Sequence, residues 1–287
     1  MYKIGKYLNP FTDFGFKKLF GNEFNKDLLI DFLNEVLTNK EKIQDLTYHN
    51  PEHLPKIKEN RKSIVDLYCE NDRGEKFIIE LQNIGHHFFK DRSVYYATFP
   101  IQEQALKGKK WDYHLKSVYT VCILNFSFDD EESAKRYYRE IKLMDTHTKS
   151  VFYDKLTFYY LEVPCFEKTE AELETNFDKW MFVLKNMDKL QEIPKKLQTK
   201  LFKKLFKEAE IANLNSSQMK LYEENLKVQW DEYSILKSQK EEGRKEGIIE
   251  GKHVERLTIA KEFKKNGVAL HLIVKSTGLT KEEVEKL

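Results

Sequence analysis

The sequence predicts an α/β protein: a mixed sheet flanked by helices, followed by a mainly helical C-terminal region. Three observations predict it. Side chains alternate with the period of a strand over 61–69 and 76–82, and a third strand over 116–126 ends in the apolar run Val121-Cys122-Ile123-Leu124. Apolar residues recur at helical spacing ahead of and between these runs. Beyond Pro164 the chain becomes charged and helical in pattern.

Taken in order, Thr12 or Asp13 caps a short helix that Gly21 stops, with Phe16, Leu19 and Phe20 on its apolar side. A second helix over 25–37 carries Leu28, Leu29, Phe32, Leu33 and Val36 inward and places Asp31 and Glu35 on its flank. A strand over 43–48 precedes the two alternating runs. The pattern turns helical again over 87–106, where Pro100 is expected to kink or break it. Helix, three strands, helix and strand is thus the order up to residue 126. Two aromatic-rich runs at 136–142 and 156–163 extend or cap the sheet. Charged helices follow at 170–187 and 194–210, and lysines 195, 196, 200, 203, 204 and 207 give the second a basic side. These shifts divide the chain into a core over 1–165, a charged helical extension over 166–241 and a small helical tail over 242–287.

In that tail Gly243, Gly247 and Gly251 stand four residues apart. On a helix they form one stripe, at a cost of roughly 1 kcal/mol each relative to alanine, and otherwise they mark a linker. Helices over 257–265 and 270–276 stop at Gly267 and Gly278, and Thr280-Lys281-Glu282-Glu283 opens a third with a capping box. Such a trio fits a helix-turn-helix unit or an oligomerisation hairpin.

The 287 residues are 40% hydrophobic and 33% charged, but 49 basic and 47 acidic side chains leave a net charge of only +2. No global field draws the chain onto a polyanion, so any such binding is local. The apolar runs are strand-sized, too short to span a membrane, and a cytoplasmic protein without membrane contact is expected. Cys69, Cys122 and Cys165 are widely spaced and read as thiols. The close pair His86-His87 points to opposite sides of an extended segment, which argues against zinc.

Chemistry concentrates in the hairpin. With Asp72-Arg73-Gly74 as a three-residue loop ending in a left-handed glycine, Asn71 pairs with Glu75 and Asp66 falls opposite Glu80. Val65, Leu67 and Cys69 then face one way, and Lys62, Ile64, Asp66 and Tyr68 the other. Opposed carboxylates repel, and a divalent cation relieves them: magnesium takes one or two carboxylates together with water and phosphate oxygens, as in phosphodiester cleavage. The plain alternative is a solvated acidic face, although Ile64, Tyr68 and Ile78 on that face point to burial.

The motifs Asp13-Phe14-Gly15-Phe16-Lys17, Phe32-Leu33-Asn34, Lys62-Ser63-Ile64-Val65-Asp66 and Glu80-Leu81-Gln82 occur in this order. Arg92, Tyr96 and Gln104-Ala105-Leu106-Lys107-Gly108 follow them. In this combination the chain resembles the Rpn family, bacterial recombination-promoting nucleases also catalogued as transposases of the PD-(D/E)XK nuclease type. The resemblance is strong over 9–165 and looser at the glycine ladder and Thr277-Gly278-Leu279. It implies a restriction-endonuclease-like core, magnesium- or manganese-dependent DNA endonuclease activity and a role in recombination or transposition. Asp66 matches the first motif acid, Glu80 the second, and Gln82 the position usually held by lysine. Glutamine brings no positive charge.

Lys62, on the acidic face, is the expected substitute, unless it is only a lysine at a strand entrance. Asp13 and Lys17 join as candidate substrate contacts, with a helix cap and a surface lysine as the alternative. Glu35 is a candidate extra acid or a solvated one. Arg92 lies four residues before Tyr96 and points with it toward the scissile phosphate, or else snorkels over core aromatics; Gln104 sits on another part of that helix. Cleaving both strands of a duplex implies a homodimer. The competing reading is a nucleic-acid-binding or assembly protein that kept the fold and lost turnover.

Overall fold

The computed structural model describes residues 5–38, 40–49, 65–85, 87–105, 112–128 and 136–287. Lys62, with the rest of the expected strand start at 61–64, lies outside the described residues, as do His86 and 106–108. Two compact units are present, Met1–Leu226 and Lys227–Leu287.

In the first unit, helix α1 (Asp13–Phe20) begins where the Thr12 hydroxyl accepts the Gly15 N–H, and ends at Gly21. Helix α2 (Lys26–Val36) buries Leu28, Leu29, Phe32, Leu33 and Val36, the five positions expected from spacing. Strands β1 (Leu46–His49), β2 (Leu67–Asn71) and β3 (Lys76–Gln82) follow, then helix α3 (Phe89–Glu103) and strand β4 (Val118–Leu124). Pro100 lies inside α3 and does not break it at that point; its missing N–H costs one helical bond, and the helix ends at Glu103. Both aromatic-rich runs join the sheet, as β5 (Tyr138–Met144) and β6 (Val151–Glu162).

The six strands lie in the order β1-β2-β3-β4-β6-β5. Neighbours are antiparallel from β1 to β3, parallel from β3 through β4 to β6, and antiparallel again at β5. This is the mixed sheet that the sequence predicts. On one face Phe77, Ile79, Tyr119, Val121 and Tyr159 pack with α1, α2, α4 (Asn176–Asn186) and α5 (Lys200–Ala209) around buried Trp180. The charged stretch after Pro164 therefore contributes Trp180, Met181, Phe202, Leu205 and Phe206 to the main core, its lysines lying outward. The other face is covered by α3, through Phe89 and Ala97 over Val118, Cys122 and Leu124, and through Phe99 over Tyr68 and Ile78.

Helix α6 (Ser216–Lys265) begins against the core, where Tyr222 and Leu226 pack on Leu8. In the second unit its last turns join α7 (Leu270–Thr277) and α8 (Lys281–Glu285) around Ala260, Ile273, Leu279 and Val284. The glycine ladder is helical, and among the described residues no atom beyond its own helix backbone and chain neighbours comes within 4 Å of a Cβ placed at Gly243, Gly247 or Gly251.

Candidate active site

The site is set by a turn. Gly74, at φ +79°, lets the chain reverse, while the Asn71 side-chain oxygen accepts the Arg73 and Glu75 N–H groups at 3.0 and 2.9 Å. Asn71 N–H donates to Glu75 O at 3.1 Å, and the pairs Cys69↔Phe77 and Leu67↔Ile79 follow. Pairing ends there, one residue short of the expected Asp66–Glu80 pair.

Asp66 itself precedes β2, in a bend at 65–66. The bend corrects one detail of the expected alternation: Val65 packs with Tyr68, Ile78 and Phe99, not with Leu67 and Cys69. It also turns the Asp66 side chain onto β3, where Oδ2 accepts the Leu81 N–H at 2.7 Å.

Glu80 is 6% exposed and lies beside Cys122 in the β3/β4 register. Burial, then the charge of Asp66, pushes its carboxyl well above the usual range, with Arg92 and Lys17 opposing. Burial also raises Asp66, against the Leu81 N–H and the Lys17 charge. Among the described residues Glu80 Oε1 is buried with no hydrogen-bond partner, an arrangement that costs about 1–3 kcal/mol or more for a charged group.

Helix α3 brings a cation to this face. The Arg92 guanidinium lies over the rings of Phe89 and Tyr96, at 5.1 and 5.7 Å from their centroids. Its Nη2 donates to Gln82 Oε1, and the Gln82 amide nitrogen donates to Ile84 O at 3.0 Å. Gln82 is thereby held at both ends. Arg92 Nε is buried without an acceptor among the described residues. An orphaned acid oxygen and an orphaned guanidinium N–H thus occur at one site.

Helix α1 supplies Asp13 and Lys17, which pair with each other at 2.7 Å and whose charges act on Asp66. The Asn83 side chain, just after β3, donates to Phe11 O at 2.7 Å and ties the start of α1 to this end of the strand. Sequence reasoning missed Asn83, although its place one residue after Glu80-Leu81-Gln82 was a usable signal. Cys122 was also missed, because only the parallel register of β4 reveals it.

The structure places two other candidates apart from the acids. The Gln104 side chain accepts the Lys116 N–H at 2.7 Å and donates to Pro100 O at 3.1 Å, so it organises the entry to β4. Glu35 rides on α2, on the sheet face opposite Glu80.

The donor set suits a hard divalent cation. Two carboxylates converge, and the Glu80 oxygen is an acceptor with its capacity unused. Among the described residues no three His, Cys, Asp or Glu side chains gather into a group that could hold a metal ion.

The family model described as PD-(D/E)XK nuclease family transposase matches residues 10–239. Comparison with curated proteins and with solved structures returned no match. No helix among the described residues is long and apolar enough to cross a membrane.

Proposed function

We propose a function on one premise: the chain belongs to the PD-(D/E)XK nuclease family transposases. On this reading it is a DNA endonuclease dependent on magnesium or manganese, of the Rpn type and acting in recombination or transposition. The observation that carries it is the buried Glu80 oxygen without a partner beside Asp66.

Asp66 and Glu80 would hold the cation, which when bound lowers the pKa of a water and polarises the phosphate. The Leu81 N–H fixes the Asp66 carboxylate in place. Arg92, whose guanidinium lies over two rings, would bring positive charge to the phosphate and oppose the negative charge that grows there during attack. Gln82 is a positioning residue, since its carbonyl holds Arg92 and its amide is anchored on Ile84. Lys17 and Asp13 flank the acids from α1, and Lys62 is kept as a further candidate cation from the sequence.

The working unit is a homodimer. Its support is the bare stripe of Gly243, Gly247 and Gly251 on α6, each glycine costing helix stability that no contact among the described residues offsets. Gly247→Leu is expected to shift the sedimentation profile toward monomer. A cytoplasmic site of action accords with Cys69, Cys122 and Cys165 remaining free thiols.

Plasmid nicking with magnesium, run beside Asp66→Ala and Glu80→Ala, tests the nuclease reading. Wild type should nick at rates at least about 100-fold above either variant. If all three nick equally slowly while still shifting DNA on a gel, the alternative of a non-catalytic nucleic-acid-binding protein is correct.

A further inference from the structure

We propose that this site takes a nucleic-acid strand whose bases beside the scissile phosphate are unpaired, with Phe88 and Tyr95 as the rings on which they stack. The inference rests on the nuclease reading and names its substrate class.

Phe88, Arg92, Tyr95 and Phe99 follow one another at spacings of four, three and four residues, so they form one stripe along α3. Phe99 is buried and meets the Tyr95 ring edge-on at 5.0 Å, which fixes that ring while leaving Tyr95 44% exposed. At the start of the helix Phe88 is 69% exposed, with the His87 ring packed edge-on against it at 4.9 Å. Between the two open rings stands Arg92, the residue that reaches Gln82 and keeps a buried Nε–H without an acceptor. Phe88, the residue that caps the helix, lies seven positions before Tyr95, about 10 Å at helical rise, or about three base steps of a stacked strand.

A ring beside a phosphate-binding arginine does little for an intact duplex, whose base faces are covered by their neighbours. Duplex binding depends instead on neutralising many phosphates, and a chain of net charge +2 is poorly supplied for that. Unpaired bases offer open faces. Each base stacked on an aromatic side chain contributes roughly five- to a hundredfold in affinity, largely independent of sequence. The arrangement of aromatic, arginine and aromatic beside the acid pair therefore fits an exposed strand, such as a gap, an overhang or a junction arm.

The test uses the full chain in EDTA, so that binding is read without cleavage. Fluorescence anisotropy is measured with a labelled single strand, the blunt duplex of the same sequence and a gapped duplex. Phe88→Ala and Tyr95→Ala should each raise Kd for the single strand and the gapped duplex about tenfold, and change the blunt duplex less than about twofold. Phe24→Ala, which removes a ring that is 90% exposed and lies outside this stripe, should change none of them. Phe88→Trp should retain binding, with the emission of the introduced indole quenched by the single strand and not by the duplex; this holds the test open if an alanine variant folds poorly. Equal losses on all three nucleic acids, no loss on any, or an indole signal that the single strand leaves unquenched would overturn the proposal. If wild type with magnesium cuts none of them while the ring-dependent preference persists, the nuclease reading fails and the stacking surface stands.

Discussion

On the proposed reading the acid pair couples cation binding to folding, and the coupling can be measured without any substrate. Asp66 and Glu80 are both held above the ordinary carboxylate range, by burial first, then for Glu80 by the neighbouring Asp66 charge. The folded chain thus binds protons more tightly than the unfolded chain, whose acids titrate near about 3.9 and 4.3. The pair's own contribution to stability without metal is therefore greatest below those values and falls as the pH rises through the raised folded range. A cation reverses the sign, because it binds the ionised pair in the folded state. At a free concentration of about 100 times Kd it adds about 2.7 kcal/mol. For a cooperative unit of some 150–250 residues, at about 2–4 °C per kcal/mol, the thermal midpoint should rise by about 5–11 °C at pH 8. Glu80→Gln removes the buried charge and half of the ligand set. Its midpoint in EDTA at pH 8 should exceed that of wild type, and added magnesium or manganese should leave it nearly unmoved. Differential scanning fluorimetry with and without metal, at pH 5 and pH 8, reads all four midpoints for each protein. A metal-induced rise of equal size in Glu80→Gln would refute the reasoning, as would a metal-free midpoint below wild type at pH 8.

Arg139→Leu strands the Glu162 carboxylate, whose side chain is wholly buried and also accepts the Phe128 N–H at 2.9 Å; urea unfolding should show a loss of about 3–5 kcal/mol, and a loss under about 1 kcal/mol would contradict the assignment. Trp180→Ala empties the centre of the Phe20, Phe32 and Phe202 cluster and removes the 2.8 Å bond to Asp31, so a similar loss of about 3–5 kcal/mol is expected from the same measurement. Arg92→Ala should lower single-turnover nicking about 100-fold, with partial recovery in Arg92→Lys; an unchanged rate would remove Arg92 from the site. Gln82→Lys should not accelerate nicking, because it sets a second cation against Arg92 in place of an acceptor, whereas Gln82→Lys with Arg92→Gln should recover activity lost in either single variant. A Gln82→Lys rate above wild type would show that Arg92 does not fill the missing role.

The parts of the fold legible in the sequence are those decided by local chemistry. The hairpin register follows from Asn71, Gly74 and Glu75 alone, and the helix starts follow from Thr12 and Thr280, whose hydroxyls cap as the sequence implies. Strand order was not legible. The run at 156–163 reads equally well as an edge or a cap, and only non-local pairing places β6 between β4 and β5. The lysines around Phe202, Leu205 and Phe206 likewise hide a core helix behind a solvated face. In the site, the turn sets the register as far as Leu67 and Ile79, and the bend at 65–66 that carries Asp66 onto β3 was not legible. Gln104 shows the limit, because its distance from the acids depends on where α3 ends and β4 begins.

The departure at residue 82 has a physical consequence beyond a missing charge. A lysine on β3 would bring its ammonium to the acids along the strand that carries Glu80, with four rotatable bonds to immobilise. On the proposed reading the cation comes instead from the helix layer, on α3, as a planar guanidinium that lies over the Phe89 and Tyr96 rings and donates to the Gln82 carbonyl. The charge is delivered across the junction between sheet and helix. The alignment of the site therefore depends on the packing of α3 on β2 and β3, through Phe99, Tyr68 and Ile78. Loosening that layer should impair phosphate binding while leaving the carboxylates in register, which a lysine on β3 would not permit.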